Sequence, residues 1–219
     1  ATLCLLFSTL CCHAQDSLLA RAIMLGAGTA NTYDTYLSPQ EHKGWQLSLM
    51  MENTRMTRWH NIATHGKLCI AFTDTHNRAA NGTCLGALLG YRQSWLYRWT
   101  LTPHWQLSAG GGAGANVGGL YYAHNAGNNP ANAHLDASLH AAASATYAWR
   151  WLRVNLTAEA PLVGVMFAPA YGQSYYEIFT KQQSRNNVVF AHPFNAPTLR
   201  TLLTFDFHIP TLVPRKRAH

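Results

Sequence analysis

Residues 135–149 read LDASLHAAASATYAW and alternate between two kinds of side chain. The odd-numbered positions are all apolar, whereas Asp136, Ser138 and His140 begin a largely polar set at the even-numbered positions. A period of two is that of a β-strand with one apolar face. The segment is longer than the about 5–6 residues typical of globular strands, and it exceeds the about 9–11 residues with which a tilted strand crosses a bilayer. It therefore predicts a long strand suited to a membrane.

The same alternation recurs along the chain and defines eight predicted strands. They are residues 18–31, 44–55, 62–74, 83–97, 105–122, 135–149, 151–163 and 199–207. The short connections between them are 56–61, 98–104 and about 150, and the longer ones, rich in Asn, Gly, Pro and Tyr, are 32–43, 75–82, 123–134 and 164–198. Short turns on one side and long loops on the other are typical of outer-membrane barrels. We therefore expect an all-β fold, an antiparallel up-and-down transmembrane β-barrel, with the long loops outside the cell.

The aromatic residues divide in the same way as the connections. Six of the seven tryptophans lie beside the short turns, at positions 59, 95, 99, 105, 149 and 151. Seven of the ten tyrosines lie in or beside the long loops, at positions 33, 36, 121, 122, 171, 175 and 176. Trp and Tyr favour the two interfacial levels of a bilayer, so this division predicts two aromatic girdles. The alternative is a secreted β-sandwich with core aromatics, which would not separate them by turn type.

Composition excludes several classes of protein. Only 11% of the 219 residues are charged, against about 25% in soluble domains, although the mean hydropathy is just -0.11. An ordinary cytosolic enzyme would carry more charge and a disordered chain fewer aromatics. A helical membrane protein would show apolar runs of about 20 residues, which this chain lacks. Three of the basic residues behind the net charge of +7 are Arg215, Lys216 and Arg217 at the C-terminal end. The predicted strands carry no basic stripe, so the sequence does not predict nucleic acid as a partner.

Strand parity assigns eight charged side chains to one face of the predicted barrel. A closed barrel satisfies its backbone but leaves no room for charge on the lipid side, so these residues are predicted to face the lumen. They are Glu52, Lys67, Arg92, Asp136, Arg153, Glu159, Arg200 and Asp206. In a narrow barrel such side chains pair and fill the interior, which predicts a plugged lumen and not an open pore.

The first segment, ATLCLLFSTLCCHA, is predicted to be a signal peptide covering residues 1–14, with cleavage before Gln15. The alternative is a buried first strand or helix. Cleavage leaves two cysteines, Cys69 and Cys84, in neighbouring predicted strands. A symmetric hairpin would not place them opposite each other, so we expect two free thiols.

Motifs for chemistry are sparse. The run GGGAGANVGG at 110–119 lies inside a predicted strand without a following helix, so it indicates crowding or bending and not a dinucleotide loop. The histidines show no metal-ligand spacing, and no Gly-x-Ser-x-Gly elbow is present. We expect no catalytic residue, cofactor or metal. Two alternatives remain. One is a lipid-acting enzyme with a Ser–His site at the barrel rim, and the other is a small-solute pore.

Four strings carry a resemblance to a known family: DTYLSP at 34–39, GNNPA at 127–131, APAYGQSYYEIF at 168–179 and HPFNAPTLR at 192–200. They resemble a group of uncharacterised Bacteroidales outer-membrane β-barrel proteins of unknown function, over nearly all of residues 23–207. The resemblance implies a signal peptide, a single barrel and outer-membrane residence, without any known activity. It also implies ten strands, so that a C-terminal hairpin is missing here. The implied division is a barrel over 15–207 and an irregular tail over 208–219, where Pro210 and Pro214 cannot donate to a ladder.

These observations predict a non-enzymatic outer-membrane protein with a structural or binding role. The recognition set is expected on the Tyr-rich 164–198 loop, since long loops in compact domains often carry function. It consists of Tyr171, Gln173, Tyr175, Tyr176 and Glu177. The alternative for this loop is that it folds over the barrel mouth and packs it. Expected partners are outer-membrane lipid and, as a second class, another envelope protein. We also expect that residues 17–31 and 199–207 do not form a full ladder.

Overall fold

The computed structural model describes residues 7–10, 20–57, 59, 61–123, 130–169, 173–179 and 187–207. The secondary-structure elements are the strands β1 (Phe7–Leu10), β2 (Ala20–Thr32), β3 (His42–Met56), β4 (Ile62–Asn77), β5 (Thr83–Thr100), β6 (Trp105–Tyr122), β7 (Ala131–Trp149), β8 (Leu152–Phe167), β9 (Val188–Ala191) and β10 (Arg200–Phe207), and the helix α1 (Tyr175–Phe179). All eight predicted strands are present, and β6 has the predicted bounds. Most others extend further into the long connections than predicted.

The strands form one antiparallel up-and-down sheet in the order β1-β2-β3-β4-β5-β6-β7-β8-β10, with β9 pairing β8. Every connection from β2 to β8 joins two strands that are neighbours in the sheet. The short connections, such as the turn between β7 and β8, are too short for a crossover. The all-β antiparallel prediction is therefore confirmed. Between β7 and β8 the register shifts at Leu139/His140, opposite Pro161, which has no N–H to donate.

The sheet curls strongly towards the face that carries Glu52, Lys67 and Glu159. In a flat sheet β4 and β8 would lie four strand spacings apart, about 19 Å. Lys67 Nζ of β4 is nevertheless 2.7 Å from Glu159 Oε1 of β8. Two side chains on the same face meet across that distance only if the sheet wraps around them. We call this the inner face, and the opposite one the outer face.

Glycines on the inner face of β6 permit this curvature. A Cβ at Gly112 would overlap the carbonyl oxygen of Gln93, and one at Gly110 would overlap that of Trp95. Only a residue without a side chain lets the backbones of β5 and β6 approach so closely. The interpretation of the 110–119 run as a place of crowding is confirmed.

The last connection differs from the prediction. An uninterrupted loop over 164–198 is wrong, because β8 continues to Phe167 and β9 pairs with its final residues, Gly164–Phe167. β9 and β10 lie along the same edge of β8. β9 pairs with the last residues of β8 and β10 with its first half, and the turn residues 193–195 lie between them. Val188–Ala191 was missed because four apolar residues are too few to show a period.

The two edges of the sheet are not joined among the described residues. β10 pairs with β8, and no backbone pairing links it to β2, which confirms that the strands predicted at 17–31 and 199–207 form no full ladder. The edge of β2 is instead paired at Ala22–Leu25 with Phe7–Leu10. That short strand lies within the predicted signal peptide, whose removal stays a prediction, and the expected tail at 208–219 lies outside the described residues.

Candidate functional site

Four of the predicted lumen charges meet in one ion-pair network on the inner face. Glu159 is at its centre, with Oε1 2.7 Å from Lys67 Nζ and Oε2 3.3 Å from Arg92 Nε. Lys67 Nζ also lies 3.5 Å from Glu52 Oε1, and the other oxygen of Glu52 faces His65 Nε2 at 3.7 Å. The side chain of Glu159 is only 3% exposed. The network therefore joins β3, β4, β5 and β8 across the inside of the curl.

The other four predicted charges share this face without direct ion pairs to the network. Asp136 accepts a hydrogen bond from Asn116 Nδ2 at 2.8 Å. In the register of β8 and β10, Arg200 lies opposite Glu159 and Asp206 lies opposite Arg153. Strand parity predicts a shared face for these side chains, and the curvature of the sheet determines which of them meet.

One serine–histidine hydrogen bond lies among the described residues. Ser94 Oγ is 2.8 Å from His140 Nε2, and both residues are 2% exposed. His140 Nδ1 has no hydrogen-bond partner in the described part of the chain, so no carboxylate orients the ring as in a catalytic triad. The pair lies within the strands, whereas the enzyme alternative requires one at the rim. Ser138, which shares the strand and face of His140, does not form this bond.

A second site lies at the end of the sheet where residues 33–41 and 78–82 connect the strands. We call this the upper end, and the opposite one the lower end. Tyr36, Leu37, Cys84 and Ile178 form a buried apolar cluster there, and Leu120, Tyr122 and Phe167 pack against it. Cys84 is a free thiol within this cluster, and Cys69 lies on β4. The cluster brings α1 onto residues of the first long connection, which are distant in sequence.

α1 is a single turn of helix whose start is specified by a capping box. Glu177 N donates to Ser174 Oγ at 3.2 Å, and Ser174 N donates to Glu177 Oε2 at 3.0 Å. The spacing Ser-x-x-Glu is the sequence signal for this arrangement, and it was overlooked in a segment interpreted as loop. Ile178 is 2% exposed, so its buried apolar side chain anchors this turn.

The predicted recognition set is divided by this packing. Glu177 forms the capping box, and the carbonyl of Gln173 accepts a hydrogen bond from Tyr36 Oη at 3.0 Å. The side chain of Tyr176 is largely exposed. Tyr171 and the side chain of Tyr175 lie outside the described residues. At Gln173 and Ile178 the geometry agrees with a loop that packs the mouth of the curl, while Tyr176 presents an exposed ring.

A cavity of about 770 Å³ adjoins the apolar cluster at the upper end. Its lining includes Tyr36, Leu120, Phe167 and Ile178, together with the bare backbone at Gly86 and Gly118. One amide side chain, Asn132, is also part of the lining. None of the charged residues of the ion-pair network lines this space.

Asp34 attaches the first long connection to β7 beside this cavity. Its Oδ2 accepts a hydrogen bond from Asn132 Nδ2 at 2.8 Å and lies 3.1 Å from His134 Nε2, while its Oδ1 accepts from Tyr36 N at 2.9 Å. Burial of the carboxyl group opposes ionisation, but the hydrogen bonds from His134, Asn132 and Tyr36 outweigh it and lower the pKa of Asp34. The carboxylate therefore carries its charge at neutral pH.

The described ranges contain neither a metal-binding cluster nor a membrane-spanning helix. No group of three or more His, Cys, Asp or Glu side chains there is arranged to hold a metal ion. No helix within those ranges is long and apolar enough to cross a membrane.

The fold and its inner face define a class: an antiparallel up-and-down sheet, curled around paired charges, with an apolar site at one end. Comparison with known proteins then identifies the family. Residues 2–216 match the family described as "Protein of unknown function (DUF3316)", and the chain belongs to it. No curated protein and no solved structure matches the chain.

Proposed function

We propose that this protein is an outer-membrane β-barrel protein without catalytic activity, exported by its signal peptide and closed to solutes, with a binding role at the upper end. One observation carries the proposal: the distribution of polarity is inverted relative to a water-soluble protein. Large apolar side chains such as Leu89, Leu139 and Phe205 are exposed along the outer face, while Lys67 and Glu159 are buried. So many exposed large apolar side chains on one face need an apolar solvent or a partner.

Two further features support a membrane setting. The strands β3 to β8 have 15 to 19 residues, enough to cross a bilayer at a tilt. The tryptophans near the short turns at the lower end are exposed, as a girdle requires. They are Trp59, Trp95, Trp99, Trp105, Trp149 and Trp151. Tyr33 and Tyr121 are exposed at the upper end, whereas Tyr36 belongs to the buried cluster and not to a girdle.

The experiment places a charge on the outer face. In lipid, Leu89→Lys should be strongly unfavourable, by roughly 2–4 kcal/mol near the bilayer midplane. In water, replacing an exposed leucine by lysine should cost little. The measurement is the yield of folded protein in the outer-membrane fraction, identified by a band shift on heating in gel electrophoresis. Leu101→Lys, in the lower connection, is the matched control and should fold normally.

Equal yields of the two variants, or a wild-type chain found in the soluble fraction, would contradict a lipid-facing outer surface. Conductance of the wild-type protein in planar bilayers tests the closed interior separately. Because Glu159 joins β4, β5 and β8 across the curl, we expect no channel events. Steady conductance would favour the small-solute pore instead.

A further inference from the structure

Two exposed arginines lie on the outer face near its lower end. They are Arg21 of β2 and Arg55 of β3, and strand alternation places Arg55 on the face opposite to Glu52. Arg21 lies opposite Asn53 in the register of these strands, so Arg55 is its diagonal neighbour on the same face. Diagonal neighbours are about 7–8 Å apart, within reach of long side chains. One anion between the two arginines can therefore contact both guanidiniums.

These guanidiniums have no carboxylate partner in the described part of the chain. None of the ion pairs found there includes Arg21 or Arg55. Glu52 also borders the space beside them, but its carboxylate is paired with Lys67 and His65 on the inner face. Two neighbouring positive charges repel each other, so an anion between them stabilises the pair.

The arginines border a groove of about 670 Å³. Gly66 lines it with bare backbone, which leaves space beside Gln93 on the next strand. The hydroxyl of Tyr91 donates to Gln93 Oε1 at 2.8 Å, and that of Thr64 donates to the carbonyl of Arg55 at 3.3 Å. Because these hydroxyls already have acceptors, the charged donors available to a ligand are the two guanidiniums.

The groove changes from polar to apolar along the strands. At the level of Arg55 it is bordered by Trp95, one of the exposed tryptophans of the lower end. Four residues further up β3, Met51 and Leu68 lie opposite each other, and Leu49 follows on the same face. Charge at the level of the tryptophans and hydrocarbon above it match the order of groups in a phospholipid, whose phosphate lies at the membrane interface.

We infer that this groove binds an anionic phospholipid, with its phosphate between Arg21 and Arg55 and its acyl chains along Met51 and Leu68. The planar guanidinium suits this role because it donates to two phosphate oxygens at once. A zwitterionic headgroup would bring an ammonium next to the guanidiniums, with no unpaired carboxylate in the described lining to receive it. The inference goes beyond the binding role at the upper end, and it rests on the membrane setting proposed above.

The test is photo-crosslinking of the full chain in phosphatidylcholine nanodiscs. The probes are phosphatidylglycerol and phosphatidylcholine with the same diazirine-bearing acyl chain, and the groove is reported by the peptides that contain Met51 or Leu68. An arginine at a membrane surface contributes about fivefold to the binding of anionic lipid, so phosphatidylglycerol should label these peptides about 20-fold more strongly. Peptides that contain Leu139, elsewhere on the outer face, should show no preference.

Three variants and a control assign the preference to the arginines. Arg21→Gln and Arg55→Gln should each reduce it to about fivefold, and the double variant should abolish it. The matched control is Lys43→Gln on the same face of β3, at the upper end, where Lys43 is paired with Glu41. It should keep the full preference. The heat-induced band shift reports folding of each variant.

The outcomes separate this inference from the proposed function. Equal labelling by the two probes, or a preference that the double variant retains, overturns the inference and leaves the outer-membrane proposal intact. Inorganic phosphate at unchanged ionic strength should not compete, because it has no acyl chain. Full competition by phosphate would overturn the lipid as the occupant and leave a site for small anions. A chain that does not enter nanodiscs overturns both the inference and the membrane proposal.

Discussion

The middle of the inner face and its upper end lie on the same strands, but they bury different kinds of side chain. In the middle, Lys67, Arg92 and Glu159 are packed against each other, and each charge has a partner. At the upper end, Tyr36, Leu37 and Ile178 form an apolar cluster beside a cavity. The first region is filled by paired charged side chains, whereas the second keeps an apolar space beside its buried cluster. The difference is between a region held by charge pairing and one held by apolar packing.

The largest expected effect comes from breaking the ion-pair network in the middle of the inner face. Lys67→Met leaves Glu159 and Glu52 without their shared cation, and a buried charge without its partner costs about 3–5 kcal/mol. Unfolding of the refolded protein in urea measures the loss. Lys43→Met is the control, because its ion pair with Glu41 is exposed and should contribute less than about 1 kcal/mol. Similar losses in both variants would show that the network contributes no more than a surface pair.

The second expected effect concerns glycines in the two regions. At Gly112, in the middle, an added methyl group overlaps the backbone oxygen of Gln93, so Gly112→Ala should cost about 1–3 kcal/mol. At Gly86, beside the cavity, the methyl group meets the side chains of Thr73 and Leu120, which can move. Gly86→Ala should therefore cost less than about 1 kcal/mol. Urea midpoints of the two variants check this order, and the reverse order would contradict the distinction.

The third effect is local to α1. Ile178→Ala removes the buried anchor of the turn and should weaken its attachment by about 2 kcal/mol, at the lower end of the range for such truncations. Hydrogen exchange at Ile178 N, which donates to the Ser174 carbonyl, measures the attachment. Exchange in the middle of β4 and β5 should not change. Phe194→Ala, at a side chain that is 95% exposed, should leave both unchanged. Faster exchange throughout the sheet would mean that α1 is part of the global fold.

The smallest effect is a pH dependence at Asp34. Because its folded pKa is lower than the ordinary 3.8, its stabilising contribution is present above that pH and is lost as the pH falls through the folded value. Tyr36 N donates to the Asp34 side chain, whereas Ser38 N donates to its main-chain oxygen at 2.9 Å. Below pH 3.8 protection of the Tyr36 amide should fall relative to that of Ser38, by about 1 kcal/mol. In Asp34→Asn the ratio should not vary with pH over this range.

The sequence predicted the strands and their faces well, because a period of two requires no knowledge of the tertiary structure. Glu52, Lys67 and Glu159 could thus be assigned to one face. Their contacts could not be predicted, since β4 and β8 meet only through curvature that depends on many residues at once. α1 had a readable signal in Ser174 and Glu177.

The direction of the first short strand has a consequence for how the two edges can be joined. β1 runs antiparallel to β2, and β10 runs antiparallel to β8, so β1 and β10 point the same way along the sheet. A seam between β1 and β10 would be parallel, whereas a seam between β2 and β10 would be antiparallel like the rest of the structure. Phe7–Leu10 therefore lies on the strand edge that an all-antiparallel seam requires. An antiparallel seam of β2 with β10 therefore requires that Phe7–Leu10 first leave the edge of β2, which the proposed cleavage before Gln15 would allow.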